Sequence, residues 1–516
     1  MKRLISLVLS AALLLMSVLL PVSVTADDGI IVDIPDQKLR AVLLEDWDTN
    51  HDKKLSEKEM ANIEDIVAPD CGIKSLEGLQ YCESLNYVDL TNNSISDLSP
   101  LYQIDYIGTL LISDNNISSL YPLRSTYLET IVFDNNKVSD ISPLANSKYL
   151  EVVHFANNKV SNISALSGMT FLNSLRMNSN PVSDLSPIKD IPDLSNLEIS
   201  SMPNYKTAML GFIPASLVAL DICGNGATDI SSLSRLKDLF FLLASDNSIS
   251  NISALSGMTK MIGLELDNNN ITDISPLKSM TKLQTLTASN NKISDISALS
   301  PMKELSGIYI ANNNISNLSP LSGLPGLYKL DLCRNKIKSI SPLKNKKTIE
   351  AIDLSHNEIT DFSPLTTLEN MVFCNYSYNK AAYNQSFADT YDVVSNIIWA
   401  NTNNPDDFHI PKLLFASGQN GSVPGDMDGD GKVNTFDALI LLKYSIGIIG
   451  YNDLSVEAMI NSDINGDLFS TSEDALLLLK MSVGIIKEAP CEDIMTSCLK
   501  YVEEAWIATM PGFSPD

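Results

Sequence analysis

Leu283-Gln-Thr-Leu-Thr-Ala-Ser-Asn-Asn-Lys-Ile-Ser-Asp-Ile-Ser-Ala-Leu299 is the stretch that decides the fold of this 516-residue chain. Apolar residues stand at its positions 1, 4, 6, 11, 14 and 17, and Asn291 stands at position 9. The same pattern recurs about every 22 residues from Ile63 onward. A fixed period of this length predicts a solenoid of stacked repeats. The units begin at residues 63, 85, 107, 128, 150, 172, 194, 217, 239, 261, 283, 305, 327, 349 and 371.

Each position in the repeat has a physical role. Positions 4 and 6 point into the core from a short strand and position 5 points away from it, because side chains alternate along a strand. Thirteen of the fifteen units carry asparagine at position 9, with Cys71 and Met202 as the exceptions. Its buried amide can satisfy backbone groups at the turn. The recurring Ser-Pro-Leu predicts a short helix on the convex side, with serine as cap and proline at the first helical position.

This pattern is the leucine-rich-repeat signature, and the units resemble those of internalins and other bacterial leucine-rich-repeat proteins. The predicted fold class is therefore an α/β solenoid, a horseshoe with a parallel sheet on its concave face. Position 5 would be exposed there, and six acids against one arginine favour a basic or hydroxyl-rich partner, either a protein or a glycan. A solvated face without a ligand is the alternative. Position 5 holds Asp89, Leu111, Val132, His154, Arg176, Glu198, Asp221, Leu243, Glu265, Thr287, Tyr309, Asp331, Asp353 and Asn375.

One pair of these acids raises the possibility of an enzyme. Asp331 and Asp353 occupy the same position on adjacent predicted strands. Their carboxyl groups could approach to about 5 Å, which suits a retaining glycosidase. Any such pair on a solenoid has this spacing, and the four histidines show no metal or triad spacing. We therefore expect a protein without catalytic residues and keep a polysaccharide-acting hydrolase as the alternative.

A second motif is written twice, at residues 426–437 and 463–474, and each copy continues directly into an apolar helix. Oxygen-bearing side chains stand at loop positions 1, 3, 5, 9 and 12, the spacing by which an EF-hand-type loop surrounds calcium. An acidic helix-entry loop without metal is the alternative. The second copy lacks the glycine at position 6, so weaker binding is expected there. The predicted ligands are the side chains of Asp426, Asp428, Asp430, Asn434, Asp437, Asp463, Asn465, Asp467, Thr471 and Asp474, with the carbonyls of Lys432 and Phe469.

A third loop of this spacing follows a predicted helix near the start of the chain, where residues 34–47 have helical apolar spacing. Lys53 stands in the place of the glycine, and two lysines lower the expected calcium affinity. A turn that keeps only the EF-hand shape is the alternative. The candidate ligands are Asp48, Asn50, Asp52, Ser56 and Glu59, with the carbonyl of Lys54.

The first residues and the composition indicate export. Lys2 and Arg3 precede an apolar run to Leu20, and residues 24–26 offer a small-residue cleavage pattern. We therefore expect a signal peptide at 1–26 and a secreted, extracellular protein without a membrane span in the mature chain. A membrane anchor at the same residues is the alternative, and the cleavage pattern favours removal. The net charge of −26 becomes −28 without the signal, with 62 acids against 34 bases, which argues against nucleic acid as a partner. Seven cysteines in so long a chain do not form a disulfide framework, and neither Cys71–Cys82 nor Cys491–Cys498 is predicted to pair.

The duplicated calcium motif resembles a type I dockerin, a small all-α calcium-binding domain by which proteins of cellulose-degrading anaerobic bacteria attach to cohesins on a scaffolding protein. The resemblance implies a cohesin partner, calcium as cofactor, a role in polysaccharide catabolism and docking through either copy. It also implies that loop positions 10 and 11 and the following helix contact the cohesin. Phe436 and Glu473 depart from the Ser-Thr-like pairs of clostridial dockerins, which implies a different cohesin group. The implied contact residues are Thr435, Phe436, Leu442, Lys443, Ser472, Glu473, Leu479 and Lys480.

These inferences divide the chain into six parts. A signal peptide at 1–26 precedes a helical cap with an EF-hand-like loop at 27–62 and the repeats at 63–380. A C-terminal cap and linker at 381–423 leads into the dockerin at 424–487 and a tail of unknown role at 488–516. We expect an interaction protein that docks on a cellulosomal scaffold and presents its repeats to a protein or polysaccharide. An adhesin or inhibitor of other proteins would share this architecture.

Overall fold

The computed structural model describes residues 29–376, 379–380, 390, 393–394 and 397. The predicted signal peptide, both C-terminal loops, the implied cohesin contacts and the tail lie outside the described residues. Across the described part of the chain, no helix is both long enough and apolar enough to cross a membrane.

Two short helices close the N-terminal end of the repeats, α1 at Gln37–Trp47 and α2 at Glu57–Ala61. Leu39 and Leu43 lie one turn apart on α1 and are fully buried in the core that continues through the repeats. Asp36 caps α1 by accepting from the N–H groups of Lys38 and Leu39 at 2.9 and 3.2 Å. The sequence pattern thus located this helix to within its first turn.

Every repeat contributes one strand to a single parallel sheet of fifteen strands in chain order. The strands occupy positions 3–5 of the predicted units, and β3 and β4 begin earlier, at the last residue of the preceding unit. The shortest and longest predicted units agree with the register, because Thr109 pairs with Thr130 and Asn196 with Ala219. The strands are β1 Asp65–Val67, β2 Tyr87–Asp89, β3 Tyr106–Leu111, β4 Tyr127–Val132, β5 Val152–His154, β6 Ser174–Arg176, β7 Asn196–Glu198, β8 Ala219–Asp221, β9 Phe241–Leu243, β10 Gly263–Glu265, β11 Thr285–Thr287, β12 Gly307–Tyr309, β13 Lys329–Asp331, β14 Ala351–Asp353 and β15 Phe373–Asn375.

The predicted short helices on the other side of the solenoid are 3₁₀ segments, and serine is not their cap. In the unit that begins at Leu283, Ser297 is the first 3₁₀ residue. Asp295, two residues earlier, accepts from both the N–H and the hydroxyl of Ser297 at 2.8 and 2.9 Å. An aspartate, and not the predicted serine cap, thus satisfies the backbone N–H at the start of the segment. The segments are Leu79–Tyr81, Ser99–Leu101, Tyr121–Ser125, Ser142–Asn146, Ser164–Leu166, Ser186–Ile188, Thr207–Phe212, Ser231–Arg235, Ser253–Leu255, Ser275–Ser279, Ser297–Leu299, Ser319–Leu321, Ser341–Leu343 and Ser363–Thr367.

The core consists of the apolar positions that define the period. In the unit that begins at Leu283, the side chains at positions 1, 4, 6, 11, 14 and 17 are all buried, at 0–1% exposure. Burying a leucine or isoleucine contributes about 1.5–3 kcal/mol. No single unit can bury its six apolar side chains alone, so stacking provides the stability. Cys71 and Cys82 are free thiols.

The asparagine at position 9 joins successive repeats, as predicted from its burial at the turn. The amide nitrogen of Asn291 donates to the carbonyls of Leu266, Ala288 and Ser289 at 2.9–3.2 Å. Its oxygen accepts from the N–H of Ile271 in the preceding unit at 2.9 Å. One side chain therefore satisfies backbone groups of two repeats that the strand and turn leave without partners. Cys71 takes this position in the first unit, which has no preceding repeat to bond. Its thiol donates to the carbonyl of Pro69 at 3.3 Å.

Candidate functional site

Position 5 of the strands is much less exposed than predicted. Asp331, Asp353 and Tyr309 are only 1%, 5% and 5% exposed, and His154 and Glu198 are also buried. A parallel sheet places the same position of the next strand directly on either side, so these side chains cover one another. The expectation of an open acidic surface at this position is therefore wrong.

Most of these acids accept a hydrogen bond from a backbone N–H group at the end of their strand. Asp221 accepts from the N–H of Cys223 two residues later at 2.8 Å, and Asp89 accepts from Thr91 at 3.0 Å. In other repeats the position-7 side chain of the preceding repeat performs this task, as when Ser245 accepts from the N–H of Asp267 at 3.1 Å. The aspartates at position 5 thus supply an acceptor for a strand-end N–H, which is a structural reason for their presence.

The carboxylate pair considered for hydrolysis belongs to this ladder. Asp331 and Asp353 are direct neighbours in the register of β13 and β14. Asp331 accepts from the N–H of Cys333 at 3.1 Å and Asp353 from that of Ser355 at 2.8 Å. The second oxygen of Asp353 accepts from the Asn375 amide at 3.0 Å. The sheet brings the two carboxylates together, but it engages them in hydrogen bonds that hold strand ends.

A charged network lies on the same face of the sheet. Nε of Arg176 is 2.9 Å from Oε2 of Glu198, and Nη1 of Arg176 is 3.4 Å from Oδ2 of Asp134. Burial raises the pKa of Glu198 even though Arg176 opposes the shift. Burial, assisted by Arg176, lowers the pKa of His154 to about 3, and the ring Nε2 lies 2.9 Å from the hydroxyl of Ser174. Buried charges of this kind fix neighbouring strands and are not freely available to a ligand.

The N-terminal EF-hand-like loop is closed by its own hydrogen bonds. Asp48 accepts from the N–H groups of Asp52 and Lys53 at 3.2 and 2.9 Å, and Asn50 also accepts from Asp52 at 2.9 Å. Lys53 has a φ of 66°, so it adopts the left-handed conformation for which position 6 normally uses glycine. The loop therefore keeps the backbone of a calcium loop.

The carboxylate at position 12 of this loop accepts hydrogen bonds from other residues of the loop. One oxygen of Glu59 accepts from the N–H and hydroxyl of Thr49 at 3.0 and 2.8 Å, and the other from the N–H and hydroxyl of Ser56 at 2.9 Å. Burial acts to raise the pKa of Glu59, but these bonds outweigh it and lower the pKa. Within residues 29–376 and the few described beyond them, no three His, Cys, Asp or Glu side chains are grouped to hold a metal. Calcium binding through Asp48, Asn50, Asp52, Lys54, Ser56 and Glu59 stays a prediction.

An exposed row of aromatic rings runs along one flank of the solenoid. We call it the aromatic flank: Tyr106, Tyr127, Tyr149 and Phe171, the last residue of four successive units. Neighbouring ring centroids are 5.9, 4.9 and 5.3 Å apart, with interplanar angles of 31°, 31° and 21°. Each ring keeps 36–50% of its surface exposed. The row was missed in the sequence, although aligning the ends of the units would have revealed it.

A second group of rings holds a cation close to this region of the chain. The guanidinium carbon of Arg124 lies 4.2 Å from the ring centre of Tyr102 and 4.0 Å from that of Tyr121. The guanidinium also donates to the hydroxyl of Tyr102 and, at 3.3 Å, to the carbonyl of Tyr121. Such a cation between two rings is a favourable arrangement at a surface.

Two family models match the chain. A leucine-rich-repeat model of two copies matches residues 259–301 and again 303–345. A model described as the dockerin type I domain matches residues 424–481, which include both duplicated loops. The chain therefore carries leucine-rich repeats and a type I dockerin domain, and neither matched module is a catalytic domain. No curated protein matches this sequence.

Solved structures share the solenoid fold. The functional domain of InlJ from Listeria monocytogenes is 18% identical over 73% of this chain and 80% of that one, with a TM-score of 0.50. A leucine-rich-repeat protein of Leptospira interrogans is 14% identical over 66% of this chain and 96% of its own, also with a TM-score of 0.50. An internalin from Listeria monocytogenes is 25% identical over 69% of this chain and 93% of that one, with a TM-score of 0.49.

Proposed function

From a chain that joins leucine-rich repeats to a type I dockerin domain, we propose a secreted, non-catalytic interaction protein of a cellulosomal assembly. The dockerin would attach the protein to a cohesin on a scaffolding protein, and the repeats would present a surface to a second partner. The observation that carries the proposal is the sequence motif that is written twice, at residues 426–437 and 463–474, within one matched docking module. The division of the chain at residues 26, 62, 380, 423 and 487 is part of this proposal.

Calcium is proposed to order the docking module. The residues present fit the ion, since each loop offers carboxylate, amide or hydroxyl oxygens at the spacing that calcium requires. The proposed ligands are the set given above, from Asp426 to Asp437 and from Asp463 to Asp474. The cation would offset the repulsion between the clustered carboxylates and so allow the following helices to pack. Cohesin contact through Thr435, Phe436 and their counterparts in the second copy rests on the family resemblance alone.

The proposal of a non-catalytic role rests on what the repeats do with their acids. The strand-end hydrogen bonds of Asp331 and Asp353 account for both carboxylates without a reaction. The alternative partner classes for the repeats are a protein and a polysaccharide, and the adhesin or inhibitor role would use the same surface. Export through the N-terminal signal is proposed from residues 1–26, and it agrees with an extracellular scaffold.

Binding of the full chain to a panel of cohesins tests the docking role. In calcium we expect tight binding to at least one cohesin, and the double variant Asp426→Ala/Asp463→Ala should lose at least a hundredfold in affinity, because position 1 of each loop is lost. The matched control is Asp406→Ala/Asp407→Ala, which removes two carboxylates outside the loops and should bind within twofold of the parent. No binding to any cohesin, or equal loss in both variants, would refute the docking proposal.

A further inference from the structure

The aromatic flank leads to a more specific statement about the second partner. We propose that this flank, and not the strand face at position 5, binds the partner of the repeats, and that the partner is a protein surface rich in arginine or lysine. The inference rests on the proposed function as an interaction protein. It replaces the face expected from the sequence, because the position-5 side chains are buried or half-buried whereas Tyr149 and Phe171 are about half exposed.

The rings form a rigid, preorganised surface. Tyr106, Tyr127, Tyr149 and Phe171 follow one another in one row, with two tilted pairs and one stacked pair, so each ring limits the movement of the next. Aromatic side chains that are already ordered lose little conformational entropy on binding. Taking ~200 Å² per ring, the exposed parts together make roughly 350 Å², the size of a patch that is often functional on a monomer.

The charges beside the rings determine the kind of partner. Asp105, Glu129 and Glu151 are exposed, and each lies within two residues of a ring in the sequence. Within the part of the chain that the structure describes, none of these three carboxylates is in an ion pair. The nearby Lys148 is directed to the carbonyl of Ser167 at 3.2 Å. Rings bordered by carboxylates that lack an ion-pair partner attract cationic side chains through both the ring face and the charge.

The chain already shows this recognition within itself. Arg124 is held between the rings of Tyr102 and Tyr121, in the units that also provide Tyr106 and Tyr127. An arginine of a partner would meet the same ring chemistry on the flank, with carboxylates added. A neutral sugar is less suited, because it carries no positive charge to pair with the carboxylates beside the rings.

Isothermal titration of the full chain, in calcium, with a synthetic peptide of alternating arginine and leucine tests the proposal. The double variant Tyr127→Ser/Tyr149→Ser should weaken binding about tenfold, the loss expected from two cation–π contacts. Glu129→Gln/Glu151→Gln leaves the rings in place and should weaken binding severalfold, with a smaller dependence on salt. The same peptide with citrulline in place of arginine should bind about tenfold more weakly.

The matched control is Tyr328→Ser. Tyr328 is a single ring with 40% of its surface exposed, and its hydroxyl lies 2.5 Å from Oε2 of Glu350, as that of Tyr106 lies 3.1 Å from Oε1 of Glu129. This variant should bind the arginine peptide within twofold of the parent. An equal effect of the flank and control variants, or equal binding of the citrulline peptide, would overturn the proposal in favour of attraction by overall negative charge.

Two further results would also overturn it. Cellohexaose binding that disappears in Tyr127→Ser/Tyr149→Ser, without an effect on the peptide, would assign the flank to a glycan. Concentration-dependent sedimentation that the same variant abolishes would assign it to a second copy of the chain. Cohesin binding, measured on every variant, separates the two proposals, since the flank variants should leave it unchanged. A failed peptide test with intact cohesin binding removes only the present inference.

Discussion

Wherever position 9 is asparagine, a single amide holds the repeat to the one before it. Asn291 satisfies the N–H of Ile271 and three carbonyls, and Asn313 repeats this set of bonds one unit later. A leucine at this position would fill space but would leave those backbone groups buried without partners. The asparagine is therefore retained for its bonding and not for its size.

We predict that Asn291→Ala lowers the free energy of unfolding by about 2–4 kcal/mol, because it leaves several buried polar groups unsatisfied. The urea midpoint of the full chain measures the loss. Asn290→Gly is the control, because Asn290 is exposed and has a φ of 55°, which glycine adopts without strain. The control should change stability by less than about 0.5 kcal/mol. A larger loss in the control than in Asn291→Ala would contradict the role assigned to position 9.

Buried His154 should make stability depend on pH in a defined window. Its pKa in the folded chain is about 3, below its ordinary value of 6.5, so the unfolded chain binds more protons between these pH values. Stability should therefore fall as the pH drops below about 6.5, by at most about 1.4 kcal/mol per pH unit for this group. His356, whose pKa is lowered to about 4, acts with the same sign, whereas the raised pKa of Glu198 acts in the opposite direction.

Urea unfolding of the parent and of His154→Gln between pH 6.5 and pH 5 isolates this contribution. The difference in stability between the two proteins should shrink or reverse in favour of the variant as the pH falls, because the glutamine has no proton to bind. Parallel pH dependences would show that His154 does not remain neutral in the folded chain.

At the scale of an element, the N-terminal cap is attached to the repeats by one carboxylate. Asp36 caps α1 with one oxygen, and its other oxygen accepts from the N–H groups of Lys74 and Ser75 at 2.7 and 3.1 Å. Partial burial acts to raise its pKa, but the backbone bonds lower it overall. The side chain thus connects a helix to a turn 38 residues later.

Asp36→Asn should separate these two roles. Asparagine is as good a cap as aspartate, but its amide nitrogen would face the N–H groups of Lys74 and Ser75 and could not accept from them. We expect a loss of about 1–3 kcal/mol in the stability of the cap, and Asp36→Ala should cost about 1 kcal/mol more. Hydrogen exchange of the α1 amides measures both effects. Exchange in Asp36→Asn at the parent rate would contradict the link to the repeats.

The repeat elements could be predicted almost residue by residue, since apolar spacing alone placed the strands and the turns. The exposure of position 5 could not be, because it depends on neighbours 22 residues away on both sides and not on the alternation within one strand. In the sequence, the acids at position 5 resemble a binding surface. In the folded chain, Asp331 and Asp353 accept hydrogen bonds from backbone N–H groups at the strand ends. The aromatic flank was missed for a related reason, because its rings are isolated in the sequence and adjacent only after stacking.

At the scale of the whole molecule, attachment and recognition are assigned to different parts of the chain. The dockerin model matches residues 424–481, whereas the described repeats with their aromatic flank end more than forty residues earlier. The duplicated motif specifies the proposed cohesin partner in more detail than the repeats specify the proposed second partner. The two copies differ at loop position 6, where the first has Gly431 and the second has Leu468. We therefore expect the first copy to bind calcium more tightly.

Calcium dependence is the property on which the central claim depends. A surface that carries a matching cohesin, exposed to the full chain first in calcium and then in an excess of chelator, measures it directly. We predict binding in calcium and complete release in chelator, with the circular dichroism of the repeats unchanged because hydrogen bonds within the chain already close the loop at residues 48–59. Binding that persists in chelator would contradict the account.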